Sequence, residues 1–244
     1  MASKQPSERI IVALDVDNPS RAVELAQMLK GHVGYFKIGL QLFTAAGPNI
    51  VKKLLDEDCK IFLDLKLHDI PNTVARASVE AGRLGVHMIT LHTLGSETMM
   101  KQAHETVLEY ANRESWHPPK MLGVTILTSM DQTALTSIGI DYPLEREVLK
   151  LAKSAQKAGL DGIVCSPLEL HFLKQHKKPN FVFVTPGIRN AESDKNDQVR
   201  TVTAGEALTL GADYLVIGRP IIAAPDPAQA AQNLTQEIRS QQNN

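Results

Sequence analysis

At 244 residues, with 43% hydrophobic and 22% charged residues, the chain has the composition of a folded protein with a core, not of a disordered or low-complexity polymer. Lys and Arg number 26 against 27 Asp and Glu, and neither end carries a basic block, which argues against nucleic acid as a partner. Cys59 and Cys165 stand far apart with no CxxC pair and no His cluster to complete a zinc site, so they read as free core thiols in a reducing cytosol.

In chain order, the opening "MASKQPSERI" is polar and lacks the apolar stretch of a secretion signal, and no apolar run of about 18 residues is present to span a bilayer. A cytoplasmic protein is expected. Strands are predicted near 10–15, 33–39, 60–66, 86–92, 121–127, 161–165, 181–185 and 213–217. Helical periodicity fills 19–30, 44–57, 72–84, 96–112, 145–158 and 203–210. The stretches "RLGVHMITLH", "KAGLDGIVCS" and "TLGADYLVIG" each end an amphipathic segment at a glycine (Gly85, Gly159, Gly211) and start a short apolar strand, as a helix capped in the left-handed conformation feeds a parallel strand. Eight strands alternating with helices over this length predict an α/β fold of the (β/α)8 TIM-barrel type. One domain over 1–244 is expected, with a core at about 9–235 and polar termini. A doubly wound open sheet also alternates, but no GxGxxG follows the first strand.

Alternation along the strands assigns faces. In "IFLDLKL" the set Ile61, Leu63, Leu65 and Leu67 is aliphatic and is expected to face the helices, leaving Phe62, Asp64 and Lys66 in the lumen. The same parity sends Ile10, Val12, Leu14 and Val16 outward with Asp15 inward, and Phe36, Ile38 and Leu40 outward with Lys37 inward. Four charges from three consecutive strands thus converge on the C-terminal mouth, where such barrels place their chemistry. A buried ion pair kept for stability alone explains the pattern poorly, because desolvating two charges costs several kcal/mol. His68 and His92 near strand ends are read as hydrogen-bonded structural residues.

Late in the chain, "VTPGIR" (184–189) and "VIGRPI" (216–221) each end a strand with a turn and an arginine. Loops after the seventh and eighth strands of a barrel are a common phosphate site, so Arg189 and Arg219 are expected to grip one phosphate beside Gly218, with Pro220 opening a helix. The polar stretch at 190–204 is expected to be a lid over that phosphate, with Gln198 reaching the ligand.

The D-x-K-x-x-D-x-P run at Asp64, Lys66, Asp69 and Pro71 resembles the signature of the orotidine 5'-phosphate decarboxylase family. The blocks "ALDVD", "FKIGLQLF", "VTILTSM", "VTPGIR" and "VIGRPI" are similar to that family's other blocks, in the same order, from about residue 9 to residue 235. The resemblance implies a barrel of the ribulose-phosphate-binding type and decarboxylation of orotidine 5'-phosphate to UMP in pyrimidine synthesis, without metal or cofactor. It implies that Lys66 donates a proton to the carbon losing carbon dioxide, that Asp64 lies against the substrate carboxylate, and that Asp15 and Lys37 hold the ribose. It further implies a homodimer in which Asp69 and Thr73 reach the neighbouring subunit's site; the catalytic set expected is Lys66, Asp64, Asp69 and Lys37, with Asp64 and Asp69 favouring the charged form of Lys66. Thr128 would read the pyrimidine edge, with Ser129 as a lesser candidate. Gln198, Gly218, Arg219 and Arg189 would hold the phosphate.

Two competing readings remain at this point. A related barrel, similar to 3-keto-gulonate 6-phosphate decarboxylase, keeps D-x-K-x-x-D but holds an enediolate on magnesium, which calls for a carboxylate near the end of the second strand, where this chain has Lys37. The other is a non-catalytic nucleotide-binding barrel, which gives no reason for the charge array.

Overall fold

A computed structural model describes residues 5–188 and 202–242. Its centre is a closed parallel barrel with strands in chain order, β1 to β8. The strands are β1 (Ile10–Ala13), β2 (Tyr35–Gly39), β3 (Ile61–Leu67), β4 (Met88–His92), β5 (Lys120–Val124), β6 (Gly162–Val164), β7 (Val182–Thr185) and β8 (Tyr214–Ile217). Closure comes from β1 pairing with both β2 and β8, with Val12 opposite Phe36 and opposite Ile217.

The helices around it are α1 (Pro19–Leu29), α2 (Leu40–Ala46), α3 (Pro48–Asp56), α4 (Pro71–Arg83), α5 (Glu97–Glu114), α6 (Gln132–Ser137), α7 (Leu144–Lys157), α8 (Leu170–Leu173), α9 (Ala204–Leu210), α10 (Arg219–Ile222) and α11 (Pro227–Gln242). The predicted stop glycines adopt positive φ, at 86° for Gly85, 87° for Gly159 and 116° for Gly211, as a left-handed helix end requires. Two expectations are corrected. The helix expected at 44–57 is two helices, because Gly47 (φ 62°) followed by Pro48 ends α2 and starts α3. Leu40 does not face outward from β2: the strand stops at Gly39, and Leu40 opens α2 with 56% of its surface exposed. The short α6 after β5, the single-turn α8 and the C-terminal α11 lie outside the predicted helical segments.

The two faces of the strands separate as parity requires. Ile10, Val12, Leu14, Phe36, Ile38, Ile61 and Leu63 join the shell under the helices, while Ile11, Phe62, Met88, Leu122, Val182, Val184 and Tyr214 pack together inside the barrel. Ile61 and Leu63 are essentially fully buried, and each such side chain contributes about 1.5–3 kcal/mol. The outer aliphatic set thereby fixes which β3 residues enter the lumen, and the charges follow from it.

Candidate active site

At the C-terminal mouth the barrel opens into a cavity of about 720 Å³, a size suited to one small-molecule ligand. One wall carries Asp15, Lys37, Asp64 and Lys66. The opposite wall carries Ile126, Leu127 and Thr128 from the loop after β5, and the rim adds Pro186, Gly187, Gly218 and Arg219 from the loops after β7 and β8. The predicted charges therefore share one cavity.

Their spacing makes a continuous chain of opposite signs. Lys37 Nζ lies 2.9 Å from Asp15 Oδ1 and 3.8 Å from Asp64 Oδ2. Lys66 Nζ donates to Asp64 Oδ2 at 2.7 Å. Asp64 is thus the pivot, with the two ammonium groups on one oxygen and the Thr90 hydroxyl donating to the other at 2.9 Å. Burial grades along the chain: the side chains of Lys37 and Asp64 are each 11% exposed, Lys66 29% and Asp15 53%. The inner pair is shielded from solvent while the Lys66 ammonium and the Asp15 carboxylate meet the cavity.

Local backbone explains how three side chains reach one point. Lys37 on β2 sits beside Ala13 and Phe62, low in the mouth, and Gly39 is beside Asp64. A Cβ on Gly39 would stand 2.9 Å from Lys37 Nζ and 3.4 Å from Asp15 Oδ1, so the missing side chain leaves the space through which the Lys37 ammonium meets its partner. Asp15 is not the last residue of a strand as expected; β1 ends at Ala13 and Asp15 follows it in the loop. Between Leu63 and Leu67 the register of β3 against β4 is interrupted, and Lys66 takes a left-handed backbone (φ 51°). Leu63 pairs with Ile89 and Leu67 with Leu91, so β3 advances four residues while β4 advances two. An even surplus keeps the inside and outside sets in phase, which is why the parity argument holds across the irregularity.

The remaining predicted residues are placed as follows. Thr128 lines the cavity across from the charges, and Gly218 and Arg219 lie on its rim where Gly218 precedes α10. Asp69 and Thr73 are exposed, on the turn before α4 and in its first turn. Among the described residues no ion pair joins Asp69 to Lys66, so within one chain the carboxylate beside the Lys66 ammonium is Asp64. Arg189, Gln198 and most of the expected lid lie outside the described residues.

Two neighbouring groups bear on reactivity. His92, whose ring centroid is 5.5 Å from that of His68, has a buried Nδ1 without a hydrogen-bond partner among the described residues. Burial first, then the charges of His68 and Lys66, lowers its pKa below the ordinary histidine value, so the ring favours the neutral form. This departs from the expectation that it is a hydrogen-bonded structural residue, as far as Nδ1 is concerned. Cys165, also on the cavity wall, is fully buried and its thiol is pushed well up, which leaves it a poor nucleophile.

Sequence reasoning missed Thr90 and Gly39. Thr90 had a signal: in "MITLH" the inward set is Met88, Thr90 and His92, a polar residue in mid-strand on the same face as the charges. For Gly39 no local pattern distinguishes a strand end from a space reserved for a neighbouring ammonium.

Comparison with known proteins supplies the family. Residues 8–234 match the model of the orotidine 5'-phosphate decarboxylase / HUMPS family, almost the whole chain. The chain belongs to this family. A family member from Syntrophotalea carbinolica named orotidine 5'-phosphate decarboxylase is 48% identical over 231 residues, covering 95% of each chain. Another of the same name from Nitrosococcus oceani is 49% identical over 230 residues, covering 94% of this chain and 97% of its own. The crystal structure of orotidine 5'-phosphate decarboxylase from Lactobacillus acidophilus superposes with a TM-score of 0.82 at 38% identity, over 94% of this chain and 98% of that one. The family's barrel and this barrel are the same architecture.

Proposed function

We propose that this family member decarboxylates orotidine 5'-phosphate to UMP and carbon dioxide in pyrimidine biosynthesis, with no metal or cofactor, and that Lys66 protonates C6. The observation that carries the reading is the Asp15–Lys37–Asp64–Lys66 array at one end of the cavity, with hydrogen-bond or ion-pair distances of 2.7 to 3.8 Å. Breaking the bond between C6 and its carboxylate leaves an electron pair at C6 in an orbital the ring delocalises poorly. An ammonium already fixed by a carboxylate favours that developing charge without having to reorganise. Lys66 is such a group. Carbon dioxide departs, the electron pair stays on C6, the Lys66 ammonium transfers its proton to that carbon, and the neutral amine regains a proton from solvent.

Asp64 has two parts in this scheme. It holds Lys66 at 2.7 Å, and it stands against the substrate carboxylate, a repulsion relieved as carbon dioxide leaves. Asp15 and Lys37 would take the ribose hydroxyls, and Thr128, across the cavity, the pyrimidine edge. Gly218 and Arg219, with Arg189 and Gln198, would hold the phosphate, whose binding energy closes the lid and is used at the distant carbon. We further propose a homodimer in which the exposed Asp69 and Thr73 complete the partner's site, the exposure of both residues being what such a role needs. We also propose a cytoplasmic setting; among the described residues no helix is long and apolar enough to cross a membrane.

Lys37 favours this reaction over a magnesium-dependent one, because an ammonium held between Asp15 and Asp64 neutralises the carboxylates that a cation would need. The test is to mix the purified protein with orotidine 5'-phosphate and follow the ultraviolet absorbance, before and after exhaustive chelation. Turnover unaffected by chelation is expected. Lack of turnover refutes the reaction, and turnover lost on chelation and restored by magnesium refutes the metal-free mechanism.

A further inference from the structure

We infer that Thr90 is a positioning residue for the decarboxylation, its hydroxyl fixing the Asp64 carboxylate and the Lys66 backbone together so that the Lys66 ammonium is aimed; the inference rests on the reaction proposed above. The starting point is the interrupted ladder. With Leu63 opposite Ile89 and Leu67 opposite Leu91, the three residues from Asp64 to Lys66 have Thr90 alone opposite them on β4, so the ladder on that side departs from the one-to-one pairing of a regular strand.

The Thr90 side chain bridges the irregularity. Lys66 N donates to Thr90 Oγ1 at 2.9 Å, and Thr90 Oγ1 is 2.9 Å from Asp64 Oδ1. The directions follow from chemistry: an amide can only donate, so the hydroxyl accepts from Lys66 and its single hydrogen goes to the carboxylate. Asp64 is then held at both oxygens, by Thr90 at Oδ1 and by the Lys66 ammonium at Oδ2, which sets the plane of the carboxylate. The Lys66 backbone is thus tied to Thr90 and its ammonium to Asp64, and these two partners are bonded to each other.

Three further observations separate this from an ordinary buried threonine. Lys66 has φ 51°, a conformation unfavourable for a residue bearing a side chain, which persists only when its surroundings hold it. The nearby Thr93 and Thr125 hydroxyls donate to main-chain carbonyls, of Val124 at 2.8 Å and Val164 at 3.1 Å, whereas Thr90 donates to a carboxylate of the charge array. Thr90 is fully buried and does not line the cavity, so its influence passes through Asp64 and Lys66 and not through contact with substrate.

The test compares Thr90→Val, which keeps shape and strand preference but removes both hydrogen bonds, with Thr90→Ser, which keeps the hydroxyl. For Thr90→Val we expect kcat to fall about 100-fold, the penalty of a misplaced reacting group, with KM within about threefold of wild type. Thr90→Ser should stay within about threefold of wild type in both constants. In parallel, hydrogen exchange of the Lys66 amide, followed by NMR, should quicken at least about tenfold in Thr90→Val relative to the global opening rate and not in Thr90→Ser. If the valine protein does not fold, Thr90→Ala takes its place under the same expectations. An unchanged kcat in a folded valine or alanine variant, a rise in KM alone, or a serine variant as slow as the valine variant overturns the inference. Should the wild-type protein leave orotidine 5'-phosphate untouched, the reaction falls, and the brace is judged on Lys66 amide exchange alone, where equal rates in wild type and Thr90→Val overturn it.

Discussion

Replacing Lys66 by alanine removes the proposed proton donor and one of the cations lining the cavity while leaving most of the site in place. Proton transfer by a positioned group contributes typically 10²–10⁴-fold. Loss of one preorganised electrostatic contact costs about 10²–10³-fold. The two losses multiply, so kcat should fall by at least about four orders of magnitude, equivalent to about 5.4 kcal/mol of barrier. Folding should survive. Breaking a fully buried pair costs about 3–5 kcal/mol, but the Lys66 side chain is 29% exposed, and Asp64 keeps the Thr90 hydroxyl at 2.9 Å and the Lys37 ammonium at 3.8 Å. The assay is a single-turnover ultraviolet measurement with enzyme in excess, paired with a thermal melt to show that the variant is folded. A folded Lys66→Ala protein within tenfold of wild-type kcat would refute the assignment of Lys66 and the electrostatic argument with it.

Gly39→Ala places a methyl group 2.9 Å from the present Lys37 Nζ, so the ammonium must shift; kcat/KM should drop about 10- to 100-fold with little change in melting temperature, and an unchanged kcat/KM would show that Lys37 is not held where the reaction needs it. Arg219→Ala should raise KM by about 10- to 100-fold, the worth of a hydrogen bond to a charged group at about 1.5–3 kcal/mol, and unchanged kinetic constants would remove Arg219 from phosphate binding. If Asp69 serves the partner's site, mixing and reassociating the inactive Lys66→Ala and Asp69→Ala proteins should restore about a quarter of wild-type activity, since half the dimers are mixed and each has one intact site; no recovery despite subunit exchange would place both residues in the same subunit's site. The lowered pKa of His92 means the folded state prefers the neutral ring, so its contribution is fully present above the unfolded histidine value of about 6.5 and is lost as pH falls through the folded value. Denaturant titrations at pH 7.5 and 5.0 should show a smaller acid loss of stability for His92→Phe than for wild type, and an equal loss would contradict the shift.

The fold was legible because an αβ repeat is written locally. Each helix stop at Gly85, Gly159 and Gly211 and each short aliphatic strand is set by neighbours within a few positions, and the inward placement of Lys37, Asp64 and Lys66 follows from alternation alone. What escaped depends on contacts between distant segments. The surplus residues of β3 arise from its register with β4, which no pattern within "IFLDLKL" encodes, and the role of Thr90 follows from that register. Leu40 was misplaced because alternation was carried one residue past Gly39, although nothing in "KIGLQLF" signals that the strand ends there. The break between α2 and α3 and the start of α11 were legible but passed over: Gly47–Pro48 is a strong stop, and Asp226 before Pro227 is a helix cap whose carboxylate accepts from Gln229 N at 3.0 Å.

The site also depends on what lies beneath it. The inward-facing residues change character along the barrel axis: Tyr35 precedes Lys37 on β2, Phe62 precedes Asp64 and Lys66 on β3, and Met88 precedes Thr90 and His92 on β4. At the far pole Tyr35 and Tyr214 meet edge to face at 5.6 Å, and burial above all pushes the Tyr35 phenol up to about 12. The charges therefore stand on a packed apolar floor made by Ile11, Phe62, Met88, Leu122 and Val184, which denies water access from below. With solvent confined to the mouth, a bound substrate that filled the mouth would shield the array on that side as well, and in the proposed reaction Asp64 and the Lys66 ammonium would act on C6 through a medium less polarisable than water. The parallel barrel thus supplies two things through one alternating pattern: a hydrophobic floor low in the lumen, and, two residues further along the same strand faces, the ionic groups whose effect that floor strengthens.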